Sequence, residues 1–128
     1  MKYKIYVIDD EQSIRDAVTV GFGDQYEINT FENAEEGLDS LEADPPDLVL
    51  LDIGLPGMDG IEALKRIKGF DPDIIAVMIT AYEDVDTVIR AMKLGAEDYV
   101  IKPLDMDRLE VTVGNALDSV RLKKEVQQ

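Results

Sequence analysis

The sequence predicts one α/β domain, a parallel sheet with helices on both faces, and three observations carry that prediction. Five short apolar runs alternate with segments of helical spacing. Runs such as LVLL and IIAVMI are apolar at consecutive positions rather than alternating, which suits strands covered on both faces. The chain of 128 residues is long enough to bury a continuous core without a disulfide or a structural metal.

The elements follow in order. A first strand is expected over 4–8, then a helix with Ser13 as N-cap, Ile14, Ala17 and Val18 turned inward, and Gly21 and Gly23 marking its end. The second strand covers 26–30. A weaker helix after it carries Ala34, Leu38 and Leu41 on one side and stops before Pro45-Pro46, which cannot continue it. The third strand, 48–51, leads through a glycine-rich stretch to a helix that starts at Gly60 and uses Ile61, Leu64 and Ile67. After a fourth strand at 74–79 comes the clearest helical pattern: Val85, Val88, Ile89 and Met92 at i, i+3, i+4, i+7, with Gly95 as a left-handed cap. The fifth strand covers 99–101, and the last helix buries Leu109, Val113, Ala116, Leu117 and Val120.

Residues 1–120 therefore form the domain. In 121–128 the stripe gives way to Lys123, Lys124 and Gln127, while Leu122 and Val126 open a different face. This extension is expected either to run past the domain toward an absent segment or a dimer partner, or to be a solvated helix end.

Composition excludes several function classes. With 28 acidic and 13 basic residues the formal charge is −15, which repels nucleic-acid backbones and anionic membranes. No Cys is present, so thiolate chemistry is excluded, and no His, which removes the commonest general base and transition-metal ligand. The apolar core of MKYKIYVIDD runs straight into carboxylates and is too short for a signal peptide or anchor, so a cytoplasmic protein is expected.

Four of the apolar runs end on groups suited to phosphoryl chemistry. IYVI leads into Asp9 and Asp10, LVLL into Asp52, IIAVMI into Thr80 and YVI into Lys102. In an open parallel sheet the carboxyl ends share one rim, so the five groups should meet there. Two carboxylates about 4 Å apart repel by ~4 kcal/mol at an effective dielectric near 20. One lysine cannot balance three acids, and a divalent, oxygen-seeking ion such as magnesium would complete the site. Asp52, alone at its strand end and followed by IGLPGMDG, is the expected nucleophile, with Gly54, Gly57 and Gly60 permitting close backbone approach. Lys102 and Thr80 would hold the phosphoryl oxygens. Glu35, Glu36, Glu83 and Asp84 read as ordinary acids at helix starts.

With these residues in place the chain resembles the receiver domain of two-component response regulators. The resemblance rests on Asp9-Asp10, Asp52 with LPGMDG, Thr80-Ala81, Gly95-Ala96 followed by Asp98-Tyr99, and Lys102-Pro103, and it covers roughly residues 2–120. It implies a flavodoxin-like, doubly wound sheet of order 2-1-3-4-5 with five helices, and phosphorylation of Asp52 by a sensor histidine kinase. It further implies Mg2+ held by Asp10, Asp52 and the backbone carbonyl of Gly54, with Asp9 orienting the ion through water. Thr80 and Tyr99 would form a switch pair, and Lys102-Pro103 would be joined by a cis peptide. The face made by the fourth helix, fifth strand and fifth helix would change shape and offer a homodimer contact. The stretch from Gly95 into RLKKEV is similar to receivers that precede an AAA+ transcription-activating ATPase in nitrogen-regulator-type activators. An output domain outside this chain, acting in transcription regulation, follows by analogy.

Three other readings compete. A flavodoxin-like cofactor module would need a phosphate-cradling loop after the first strand, where DDEQSIRD is anionic. An aspartate-nucleophile phosphatase would need a second Asp where Gly54 stands. A degenerate receiver, acting by contact alone, would not need the acids, Thr80 and Lys102 intact. Gly54 and Tyr82 bear on phosphoryl lifetime: the first offers no side chain to place a water and the second could shield the group, so slow self-hydrolysis is expected.

Overall fold

The computed structural model describes residues 2–81 and 85–127, with side chains to Leu122. The expectations for Tyr82, Glu83 and Asp84, and for the side chains of Lys123, Lys124, Val126 and Gln127, lie outside the described residues. Five strands and five helices alternate: β1 Lys4–Ile8, α1 Gln12–Phe22, β2 Glu27–Phe31, α2 Ala34–Ser40, β3 Leu48–Asp52, α3 Gly60–Phe70, β4 Ile75–Thr80, α4 Val85–Lys93, β5 Asp98–Ile101 and α5 Met106–Gln127. All neighbouring strands pair in parallel, in the order β2-β1-β3-β4-β5.

The consecutive apolar residues of the central strands are explained by two cores, one on each face of the sheet. Leu48 and Leu50 of β3, with Ile75, Val77 and Ile79 of β4, pack beneath α1 and α5 among Val18, Phe22, Leu109, Val113 and Leu117. Val49 and Leu51, with Ala76 and Met78, turn the other way, into a core closed by α2, α3 and α4. Every residue of β3 and of β4 is buried. Period-2 alternation thus operates, but both phases meet apolar partners.

Several helix ends follow from local chemistry. Asn33 and Asp59 cap α2 and α3, their side-chain oxygens accepting the amides of Glu36 and Glu62, each at 2.9 Å. The chain leaves α4 through Gly95, at φ +106°, and the Ala96 amide returns to the Ala91 carbonyl at 3.0 Å. The Cα of Gly95 therefore adopts the left-handed geometry expected for it.

One expectation needs correction. Ser13 does not cap α1: the helix opens two residues earlier, with Glu11 at the cap position and no side-chain cap bond. The turn is made instead by Asp9, whose Oδ1 accepts the Glu11 amide at 2.9 Å and bends the chain before the helix begins. The apolar stripe of α4 forms at the expected positions and is only partly buried. Val88 and Ala91 are buried, whereas Val85, Ile89 and Met92 stay exposed.

Candidate functional site

Strand order reverses between β1 and β3, because the chain passes from β1 outward to β2 and then crosses to β3, β4 and β5 on the other side. Ligands of doubly wound sheets sit at that reversal, beyond the carboxyl ends of the strands. Asp9 and Asp10 follow β1 there, and Asp52 ends β3. The ladder continues past the strands and fixes the rim. The Asp9 amide donates to the Phe31 carbonyl at 3.1 Å, Ile53 to Ile79 at 2.9 Å, and Lys102 to Thr80 at 2.8 Å.

The acids converge as the sequence implies. One carboxylate oxygen from each of Asp9, Asp10 and Asp52 lies within 4.8 Å of the others. Asp9 and Asp52 are buried and Asp10 is exposed. Asp52 Oδ1 accepts the Gly54 amide at 3.0 Å, and its Oδ2 lies 3.3 Å from Lys102 Nζ. The lysine also reaches Asp9 Oδ2 at 3.3 Å and Glu11 Oε1 at 2.9 Å. Glu11 received no role from the sequence, although it extends the Asp9-Asp10 acid run. One ammonium thus faces three carboxylates, with Asp10 a fourth acid beside them.

The titration behaviour follows. Burial pushes Asp9 up to about 6, and the Asp52 charge adds to this, against the opposing pull of the Glu11 amide and Lys102. Burial likewise raises Asp52, assisted by the Asp10 charge and opposed by the Gly54 amide and Lys102. For Lys102 burial disfavours the charge, but the hydrogen bond with Glu11 and the charges of Asp52 and Asp9 outweigh it and hold the ammonium above its ordinary range.

Asp9 Oδ2 tests whether a cation fits. It is buried and has the Lys102 ammonium 3.3 Å away as an ion-pair partner, but no well-formed hydrogen bond. A buried carboxylate oxygen with no well-formed hydrogen bond, beside two further acids, suits a hard divalent ion. The residues present therefore fit magnesium.

The loop after Asp52 is shaped by Gly57 and Gly60. Gly57 has φ +73°, and a Cβ on Gly60 would stand 2.4 Å from the Asp52 carbonyl oxygen and 2.7 Å from Ile53 Cα. Gly54 needs no such freedom, because a Cβ there would meet only Asp52 Oδ1, at 3.8 Å. Close approach therefore belongs to Gly60 and not to Gly54.

Thr80 is buried at the end of β4, and its hydroxyl donates to the Ala81 carbonyl at 3.0 Å. Tyr99 on β5 is 42 % exposed. Both line an apolar groove of 590 Å³ whose other wall is α4, with Val85, Ile89 and Met92. Lys102-Pro103 is a cis peptide, as the resemblance implies. Among the described residues no helix is long and apolar enough to cross a membrane.

Fold and rim together define a doubly wound α/β domain with an acidic, cation-seeking site at its switch point. The chain belongs to the response regulator receiver domain family, whose model matches residues 5–114. This is a family of signalling domains rather than of conventional enzymes. The chain is 44 % identical over 123 residues to the transcriptional regulatory protein ZraR of Klebsiella oxytoca, covering 94 % of this chain and 27 % of that protein. It is 37 % identical over 131 residues to the nitrogen assimilation regulatory protein NtrX of Azorhizobium caulinodans, covering 100 % of this chain and 29 % of the relative. Among solved structures, NtrX from Brucella abortus in complex with ADP superposes with a TM-score of 0.93 at 37 % identity, over 99 % of this chain and 30 % of that one. A CheY-like receiver domain protein from Methanospirillum hungatei superposes with a TM-score of 0.91 at 27 % identity, covering 96 % of this chain and 99 % of that one. The chain thus spans less than a third of the length of the regulators it matches.

Proposed function

We propose that this domain accepts a phosphoryl group on Asp52 from a sensor histidine kinase, with magnesium, and that the modified domain controls an output domain outside this chain. The observation that carries the reading is the setting of Asp52. It is buried at the switch point, has one oxygen held by the Gly54 amide, and has the other beside Lys102 and a cluster of two more acids. An Asp52 oxygen attacks phosphorus, the P–N bond of a phosphohistidine or phosphoramidate breaks, and the departing nitrogen takes a proton.

Asp10, Asp52 and the Gly54 carbonyl would hold the ion, with Asp9 orienting it through water. The ion, when bound, offsets the charge that develops on the phosphoryl oxygens. Lys102 draws one phosphoryl oxygen as a point charge. The Thr80 hydroxyl, leaving the Ala81 carbonyl, donates to another. Its departure vacates the end of the groove into which the Tyr99 ring turns. The α4, β5 and α5 face then changes shape, and a homodimer contact or an output domain reads the change. Transcription regulation follows from the similarity to the transcriptional regulatory protein ZraR, and a cytoplasmic site of action follows with it. The segment 121–128 would begin the connection to that output domain.

Incubation with acetyl phosphate or phosphoramidate and Mg2+, followed by intact mass, tests the reading. Wild type should gain one phosphoryl group and Asp52→Asn none, whereas a wild type that remains unmodified sinks the proposal. The adduct should persist well beyond seconds with magnesium present, because Gly54 offers no side chain to place an attacking water.

A further inference from the structure

We propose that Glu11 is a positioning residue for Lys102: it holds the ammonium in the unmodified domain and competes with an incoming phosphoryl group for it. The inference rests on Asp52 being the acceptor. Of the three carboxylates that share Lys102, Glu11 stands nearest, at 2.9 Å, against 3.3 Å for both Asp9 and Asp52. Both ends of the contact are anchored at the rim. The Lys102 amide is fixed on the Thr80 carbonyl at 2.8 Å. The Glu11 amide is fixed on Asp9 Oδ1, and its carbonyl accepts the amides of Ile14 and Arg15 at 3.1 and 3.3 Å. Only the two side chains can move.

Exposure decides which partner yields. The Asp9 and Asp52 side chains are 0 % and 7 % exposed, whereas that of Glu11 is 53 % exposed and can turn to water. A phosphoryl group on Asp52 brings roughly −1.5 to −2 of charge and further acceptor oxygens, where the carboxylate brought −1. For Lys102 to donate to those oxygens it must loosen its grip on Glu11, and the freed Glu11 carboxylate then adds to the negative charge around the new group. Glu11 thereby weakens the hold on the phosphoryl group.

Calorimetric titration of beryllofluoride, a phosphoryl mimic, into the full chain at saturating Mg2+ tests this. Glu11→Gln should bind about three- to fivefold more tightly than wild type at low salt, the range a half-exposed ion pair supplies. The gap should close near ~0.5 M KCl, where exposed charges are screened. Asp16→Asn removes the same charge from an exposed position of α1 and should leave the affinity unchanged. Mg2+ affinity without beryllofluoride should stay within about twofold in Glu11→Gln, as an indirect contributor requires. A tenfold loss there would make Glu11 a metal ligand and overturn the inference, as would Glu11→Gln binding beryllofluoride no more tightly than wild type. A wild type that binds no beryllofluoride at all removes the acceptor reading and this inference together.

Discussion

Asp9→Asn should stabilise the protein at pH 7 in the absence of magnesium. The Asp9 carboxyl is fully buried and pushed up to about 6, chiefly by loss of hydration. Moving a carboxyl there from an ordinary value near 4 disfavours folding by roughly 3 kcal/mol once the group is ionised. The sign follows from proton counting. Between pH 4 and about 6 the folded chain binds more protons than the unfolded one, so this contribution is fully present below pH 4 and is lost as pH rises through about 6. Asparagine keeps the acceptor for the Glu11 amide, which Asp9 Oδ1 holds at 2.9 Å. It also places an amide where Lys102 now finds a carboxylate oxygen at 3.3 Å, so part of the gain is forfeited. A net gain of about 1–2 kcal/mol remains, or ~5 °C in Tm for a domain of this size.

The assay is urea unfolding of wild type and variant across pH 4 to 7.5, with and without Mg2+. The difference between the two proteins is the quantity read, because the general repulsion of a chain carrying −15 is common to both. That difference should be near zero or in favour of wild type at pH 4, and should grow in favour of the variant up to pH 7. Magnesium should reverse it, since an ion that binds only the folded acid cluster adds ~2.7 kcal/mol at a hundredfold excess over its Kd. A variant less stable than wild type at pH 7 without metal, or a difference flat in pH, would refute the reasoning.

Other perturbations give distinct outcomes. Gly60→Ala should lower stability by roughly 3 kcal/mol in urea unfolding and slow acetyl phosphate labelling, because the added Cβ would stand 2.4 Å from the Asp52 carbonyl oxygen. Gly114→Ala, in α5 with nothing within 4 Å of its Cβ, should instead raise stability by about 0.5–1 kcal/mol. On α4, Val88→Ala should destabilise by roughly 2 kcal/mol while Ile89→Gln stays within about 0.5 kcal/mol, since Val88 is buried and Ile89 is 48 % exposed. Equal effects would mean that the helix is seated differently. Asp59→Ala should remove about 1 kcal/mol by freeing the Glu62 amide at the start of α3.

What the sequence made legible was whatever short-range patterning determines. β1 lies where the apolar run places it, and β2, β3, β4 and β5 each differ from the reading by a single residue at one or both ends. Strand ends also located the acids, because chain direction in a parallel sheet brings all carboxyl ends to one rim. Contacts that depend on side-chain reach were not legible. Glu11 meets Lys102 across 91 positions of chain, and nothing in the run DDE marks its third acid as the one that turns toward the lysine. Helical period identified α4 but not what covers it. Val85, Ile89 and Met92 repeat as a core stripe would, and only the packing of the domain shows that they line an open groove.

That groove and the acid site are joined by very little structure. Thr80 belongs to both: it lines the groove opposite Ile89 and Met92, and its carbonyl holds the Lys102 amide at 2.8 Å. In the β4–β5 register Thr80 lies beside Ile101, so the residue next to Lys102 and the residue at the groove's end are neighbours across a single ladder step. A hydroxyl drawn from the Ala81 carbonyl toward a group on Asp52 would therefore alter the groove directly, with no chain of intermediaries to carry the change. The proposed switch then needs only two alternative partners for one hydroxyl, and its bias is set by how firmly Lys102 is released from Glu11 to join the phosphoryl group.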